Sequence, residues 1–179
     1  MKLIVLDRDG VINLDSDAYI KSTDEWVPIE GSLEAIARLN HDGYTVVVAS
    51  NQSGIARGYF DVETLSAMHR KMDDMLSKIG GRVDAVFYCP HGPDDGCHCR
   101  KPKPGLLLEI GQRFNVPLRE VTFIGDSISD IKAASTANAN AMLVRTGKGV
   151  KAEKIMQLEC KASIPVFDDL AAAVADILQ

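Results

Sequence analysis

The sequence predicts an α/β protein, a doubly wound and mostly parallel sheet covered by helices on both faces. Three observations predict it. Short continuous apolar runs rich in β-branched residues recur along the chain, as in strands buried on both sides. Amphipathic stretches of helical spacing alternate with them, which calls for right-handed βαβ crossovers. The 179 residues contain no internal repeat, low-complexity tract or interdomain linker, so residues 1–179 are expected to form one domain.

The first expected strand covers residues 3–6 (Leu-Ile-Val-Leu) and the first helix residues 32–40. Residues 45–49 form the second strand, followed by a helix over 62–79. Leu65, Met68, Met72, Met75, Leu76 and Ile79 give that helix a core-facing stripe, and Asp61 is a candidate N-cap. Residues 83–88 are the third strand and 104–114 the third helix; a strand over 121–124 leads into a helix over 129–137. Strands over 141–144 and 164–167 and a closing helix over 169–178 complete the series, with Gly43, Gly80 and Gly81 at chain stops.

Twenty basic against 25 acidic residues give a net charge of −5, and 46% of the chain is hydrophobic, an ordinary globular balance. No apolar stretch approaches the roughly 18 residues of a membrane span. The chain opens directly into its first strand with no signal-peptide pattern, so the cytoplasm is the expected compartment. An acidic chain without a basic run excludes sequence-independent nucleic-acid binding as a function class. A monomer acting on a small molecule is expected.

Three of the four cysteines cluster in Cys89-Pro-His91-Gly-Pro-Asp-Asp-Gly-Cys97-His98-Cys99. In a reducing compartment such thiols are more often metal ligands than disulfides. A Cys-x-His pair and a Cys-x-Cys pair joined by a five-residue turn suit a closed tetrahedral Zn²⁺ site with no position left for chemistry. Cys89, His91, Cys97 and Cys99 are the favoured ligands; His98 or Cys160 in place of His91 is the alternative.

In doubly wound sheets ligands bind beyond the carboxyl ends of the strands, where strand order reverses. The first strand runs into Asp7-Arg8-Asp9-Gly10, the second into Ser50-Asn51-Gln52-Ser53-Gly54, and the fourth into Gly125-Asp126-Ser127-Ile128-Ser129-Asp130. The Cys/His loop leads into Arg100-Lys101-Pro102. Clustered carboxylates repel one another unless a cation lies between them, and Mg²⁺ prefers a few carboxylates, waters and phosphate oxygens. With Mg²⁺ and Lys101 offsetting phosphate charge, one Asp can attack phosphorus while a second carboxyl moves the protons. The Ser50 hydroxyl and the amides of the turn after it can bond the equatorial phosphoryl oxygens.

Asp7-x-Asp9-Gly, Ser50-Asn51, Lys101 and Gly125-Asp126-x-x-x-Asp130 resemble the four motifs of the haloacid dehalogenase superfamily of phosphohydrolases. Asn51-Gln-Ser-Gly-Ile-Ala-Arg-Gly58 and the Cys/His loop before Arg100-Lys101-Pro102 narrow the resemblance. They are similar to the D-glycero-D-manno-heptose 1,7-bisphosphate 7-phosphatases, with histidinol-phosphate phosphatases as relatives. Val11 departs from the pattern where many members carry Thr, and the five-residue metal-loop turn is short.

The resemblance implies a Rossmann-like haloacid dehalogenase fold, with Asp7 as nucleophile and Asp9 as general acid/base. It implies that Ser50 and Lys101 steady the phosphoryl group and that Asp7, the Asp9 carbonyl and Asp126 hold Mg²⁺, with Asp130 behind the metal. It makes Arg100, delivered beside Lys101 by the metal loop, the candidate for substrate recognition. Asp15, Ser16, Asp17 and Ala18, in the loop after the first strand, join Asn51 and Gln52 as expected substrate contacts.

Only 40 residues separate Asp9 from Ser50, room for a flap but not a separate cap domain. Residues 13–29, 52–60 and the metal loop are therefore the expected specificity elements. A sugar phosphate is the implied substrate. Among other functions, a receiver-like signalling domain would place its phosphoacceptor Asp after the third strand, where Cys89 stands. A zinc-dependent binding module would have no use for the strand-end carboxylates. Arg145-Thr-Gly-Lys-Gly149 lacks the spacing of a nucleotide phosphate loop.

Overall fold

The computed structural model describes residues 1–158 and 164–179. Its strands are β1 (Leu3–Leu6), β2 (Thr45–Asn51), β3 (Ala85–Cys89), β4 (Thr122–Gly125), β5 (Asn140–Val144) and β6 (Val166–Phe167). Its helices are α1 (Ser32–His41), α2 (Val62–Ser77), α3 (Gly105–Phe114), α4 (Ile128–Thr136), α5 (Gly149–Leu158) and α6 (Leu170–Ile177). Among the described residues the strands form one parallel sheet in the order β3-β2-β1-β4-β5-β6. The order reverses between β1 and β4, and the crevice opens beyond their carboxyl ends. Among the described residues no helix is long and apolar enough to cross a membrane.

The two-residue period of a strand divides the core between the faces of the sheet. Ile4, Leu6, Val46 and Val48 point to one side, where Ile36 and Leu39 of α1, Leu65, Met68, Met72 and Leu76 of α2 and Leu170 and Val174 of α6 cover them. Ile79, expected in the same α2 stripe, lies past the helix end at Ser77 and is 44% exposed. Leu3, Val5, Val47 and Ala49 point to the other, under Leu106, Leu107 and Ile110 of α3 and Ala133 and Ala134 of α4. Burying both faces of β1 and β2 fixes their register, because a slip by one residue would exchange the two sets. The Asp61 carboxylate accepts from Thr64 N at 2.8 Å and so caps α2 as its sequence predicts.

Two boundaries bear on the site. β2 continues through Ser50 and Asn51, and β3 begins later than expected but extends to Cys89, paired with Asn51. Asp84 shortens the front of β3 by clasping Val46 with both its backbone and its side chain. The shift sets the start of the Cys/His loop beside the end of β2. Helix α5 was not expected from sequence: it starts at Gly149, two residues after Gly147, and buries a thin stripe of Ala152 and Met156 against Leu143.

The chain between β1 and α1 folds back as a flap. Asn13 bridges to both Asp9 and Pro28, and Leu14 N donates to Val27 O at 2.9 Å. Trp26 is fully buried beneath it, and Lys71 of α2 ties it down by donating to the carbonyls of Thr23 and Trp26 at 2.6 and 2.8 Å. Val11, where a Thr was the family expectation, is buried in the same apolar cluster.

Candidate active site

The ends of β1, β2 and β4, the Cys/His loop and the segment after β5 surround a cleft of about 300 Å³. Asp7, Asp9, Asn51, Gln52, Arg100, Lys101 and Asp126 all line it. So do Asp15, Ser16 and Asp17, whereas Ala18, expected with them, does not; its amide instead donates to Ser16 Oγ at 3.1 Å.

Lys101 holds the centre together. Only 3% exposed, its Nζ reaches Asp7 Oδ1 at 2.9 Å, Asp130 Oδ1 at 2.6 Å and Ala49 O at 2.9 Å. Burial opposes its charge, but Asp130 and Asp7 outweigh burial and keep the ammonium firmly protonated. Its backbone is clamped from both sides by Asn51, whose Oδ1 accepts from Lys101 N at 3.0 Å and whose Nδ2 donates to Lys101 O at 3.1 Å. Asn51 thus spends its amide on positioning Lys101, although it was expected to contact substrate.

Asp130 is used on both sides. One oxygen meets Lys101, and the other accepts from Asp126 N, Ser127 N and Ser127 Oγ in the capping box that starts α4.

Asp7, Asp126 and Asp130 each offer an oxygen within 4.8 Å of one another. Burial and the Asp130 charge push Asp7 well above the usual carboxylate range, against the pull of Lys101. Burial and the same neighbour push Asp126 up to about 7. Three buried carboxylates facing one ammonium are short of positive charge, and a hard divalent cation fits that donor set. Asp126 itself is wedged between Gly10 and Gly147; a Cβ on either would overlap its carboxylate, and both glycines have positive φ, at 85° and 57°.

The segment after β5 was missed as a site element. Lys148 N donates to Asp126 Oδ2 at 2.8 Å, Thr146 Oγ1 to Gly10 O at 2.6 Å, and Lys148 Nζ pairs with Asp15 Oδ2 at 3.2 Å. Its Gly-Lys-Gly run was legible only as a failed nucleotide loop. Ser53, within the expected specificity segment 52–60, is buried at the cleft wall.

Asp9 lies in a different environment. Its carboxylate accepts from Arg8 Nη2 at 2.8 Å, Asn13 Nδ2 at 2.9 Å and Gln52 Nε2 at 2.9 Å. Burial works against its charge, yet Arg8 and these hydrogen bonds prevail and hold its pKa below the ordinary value. Gln52 Nε2 also donates to Ser50 Oγ at 2.7 Å, which leaves the Ser50 hydroxyl proton free to donate onward. Asp7 and Asp9, with one residue between them, are thus driven in opposite directions: the Arg8 side keeps Asp9 ionised, while Asp7 is short of positive charge without a metal cation beside it.

In the Cys/His loop, Cys89 Sγ lies 3.6 Å from Cys97 Sγ and 3.0 Å from Cys99 Sγ, and His91 Nδ1 lies 3.5 and 3.3 Å from Cys89 and Cys99. A tetrahedron with 2.3 Å metal–sulfur bonds has edges of about 3.8 Å, close to this spacing. All three thiols are free, and His98 is exposed outside the group. Cys160, the other alternative ligand, lies outside the described residues. Arg100 follows the loop into the cleft, its Nη1 reaching His91 O at 3.5 Å.

A sheet of this order with an acidic pair after β1, a Ser after β2, a buried Lys and an Asp after β4 is the arrangement of the haloacid-dehalogenase-like hydrolases. The family model described as HAD-hydrolase-like matches residues 98–173. A D-glycero-β-D-manno-heptose-1,7-bisphosphate 7-phosphatase of Pseudomonas aeruginosa is 54% identical over 99% of this chain and 98% of its own. The protein of that name from Bordetella bronchiseptica is 53% identical over 100% and 99%. The crystal structure of the D,D-heptose 1,7-bisphosphate phosphatase from B. bronchiseptica, complexed with magnesium and phosphate, superimposes with a TM-score of 0.96 over 100% of this chain and 99% of that one. The chain belongs to this family of heptose-bisphosphate phosphatases.

One prediction follows from the crowded carboxylates. Because the folded pKa of Asp126 is raised, its ionisation costs stability above the unfolded value. Asp126→Asn is therefore expected to raise the melting temperature of the metal-free protein at pH 8, by about 2–4 °C per kcal/mol relieved. The same change is expected to abolish the further rise that magnesium gives the unaltered protein. Thermal melts with magnesium and with chelator check both; a lower metal-free melting temperature would contradict the repulsion.

Proposed function

We propose that this chain removes the 7-phosphate of D-glycero-β-D-manno-heptose 1,7-bisphosphate, with Mg²⁺ in the cleft and a structural Zn²⁺ in the Cys/His loop. The observation that carries the reading is full-length identity above one half to relatives of that name, together with a cleft lined by the required carboxylates and Lys101, with Ser50 buried just behind Gln52.

Asp7, Asp126 and the Asp9 carbonyl are the proposed magnesium ligands, and the ion supplies charge neutralisation at the phosphate when bound. Asp7 forms a bond to phosphorus as the bond to the C7 oxygen breaks, giving an aspartyl phosphate. Asp9 delivers a proton to the departing oxygen, then takes one from the water that hydrolyses the intermediate, returning Asp7 and releasing phosphate. Lys101 and the Ser50 hydroxyl hold the phosphoryl oxygens through both steps.

The zinc assignment is supported by four donors at tetrahedral spacing. Three free thiols in one loop suit a reducing compartment, which supports a cytoplasmic location. Residues 1–179 read as a single capless domain around one sheet, and a monomer is the proposed state.

Arg100 and Lys148 are cations of the cleft beyond those used on the transferred phosphoryl group, and a second phosphate gives them a partner. Heptose 1,7-bisphosphate is expected to exceed histidinol phosphate in kcat/KM by at least about 10², or roughly 2.7 kcal/mol. Arg100→Ala should erode that preference more than it slows a small generic phosphoester. Phosphate release measured on both substrates, with magnesium and with chelator, tests the reading. Equal efficiency, a preference for histidinol phosphate, or turnover indifferent to chelation would overturn it.

A further inference from the structure

Arg8 stands between the two carboxylates of the first motif, and its side chain is fully buried. A buried guanidinium carries five donors and no acceptor, so each donor needs a partner. Nε and Nη2 go to Asp9, and Nη2 also reaches Gln52 Oε1 at 3.4 Å. Nη1 goes to Nε2 of His69 at 3.3 Å. His69 sits on the inner side of α2, one turn from the buried Leu65 and next to Met68. Facing a guanidinium, its Nε2 must accept, which requires a neutral ring with the proton on Nδ1. Burial and the Arg8 charge enforce that state by lowering its pKa to about 4, although Asp9 pulls the other way.

The reaction as described makes no use of His69. We propose that His69 is a positioning residue for the acid/base step: by accepting from Arg8 Nη1 it locks the guanidinium that aims the Asp9 carboxylate at the leaving oxygen. The assignment rests on Asp9 being the general acid/base. Asn13 and Gln52 hold Asp9 from the flap and from the turn after β2, while among the described residues His69 is the hydrogen-bonding link from this group to α2. A guanidinium with an unpaired buried donor would turn toward other acceptors and carry Asp9 with it.

Proton delivery matters most for a poor leaving group. An alkoxide such as the sugar C7 oxygen needs it, whereas p-nitrophenolate leaves unaided. The test is kcat/KM, which reports the phosphorylation step, on the sugar bisphosphate and on p-nitrophenyl phosphate. His69→Ala is expected to lose about tenfold on the sugar substrate and less than twofold on the aryl ester, with KM for the sugar nearly unchanged. His69→Gln, which retains an acceptor, should recover most of the loss. Should the Ala variant not fold, His69→Met fills the space without a strong acceptor and is expected to behave as Ala.

Asp9→Asn separates the two layers of inference. It should show the same leaving-group dependence, only larger; if it does not, the acid/base assignment fails and the role of His69 fails with it. If Asp9→Asn discriminates but the His69 variants lose equally on both substrates, lose nothing, or are not rescued by Gln, the role of His69 alone is overturned.

Discussion

Asp7→Asn is expected to abolish turnover, bringing release of phosphate from the sugar bisphosphate down to the background of the assay. An amide oxygen cannot attack phosphorus as a carboxylate does. The loss should not come from unfolding: an amide keeps an acceptor for Lys101 and for Arg8 N, which meet Asp7 Oδ1 at 2.9 and 2.7 Å. It also removes one of the charges that burial penalises. The variant should therefore melt no lower than the parent in the absence of metal. Asp9→Asn should retain more activity, losing roughly 10²–10⁴ as general acid/base groups do. Trapping the phosphoryl adduct on any residue other than Asp7 would overturn both assignments.

The second large effect concerns the Cys/His loop. Residues 89–99 contain almost no apolar side chain of their own, so little but a metal can order them. Structural zinc binds small peptides with about 10–16 kcal/mol, against about 5–15 kcal/mol for the stability of a whole domain. Metal analysis is expected to find one zinc per chain, unchanged in Cys160→Ala and absent in Cys97→Ala/Cys99→Ala. The double variant should lose the substrate preference before it loses all hydrolysis. Among the described residues the Arg100 side chain bonds to the loop alone, at His91 O, whereas Lys101 keeps its clamp to Asn51 and its pairing with Asp7 and Asp130. Zinc retained in that variant would refute the site.

Where residues announce themselves by their own pattern, the sequence was sufficient. The apolar runs of β1 and β2 and the first three turns of the α2 stripe, Leu65, Met68, Met72 and Leu76, lie where periodicity predicts them, because both are buried by long-range packing that demands that pattern. The clustering of Cys89, His91, Cys97 and Cys99 was legible from their paired spacing along the chain. Asn51 illustrates what was not. From sequence it is a polar residue next to Ser50, and only the pairing of β2 with β3 and the path of the loop show that its amide faces the Lys101 backbone. Helix α5 and Lys148 escaped because the helix buries so narrow a stripe, and because Lys148 acts on Asp126 through a backbone amide that any residue but proline could supply. Arg8 looked like a spacer between two aspartates, and nothing in the sequence links it to His69, 61 positions away.

The reversal of strand order between β1 and β4 also sets a sequence of events for a chain emerging from the ribosome. β1 can pair with β2 as soon as the first 51 residues are available, whereas its other edge waits for Thr122–Gly125. Closing the larger loop costs more entropy, so the β3-β2-β1 half is expected to assemble first. That half carries Asp7 but neither Asp126 nor Asp130, and hence none of the mutual repulsion of the finished cluster. The repulsive charges arrive together on the strand that docks last, and Lys101 has been made before them to receive Asp130. Magnesium, if held by Asp7 and Asp126 as proposed, would grip the completed sheet alone and oppose the reopening of the seam between β1 and β4.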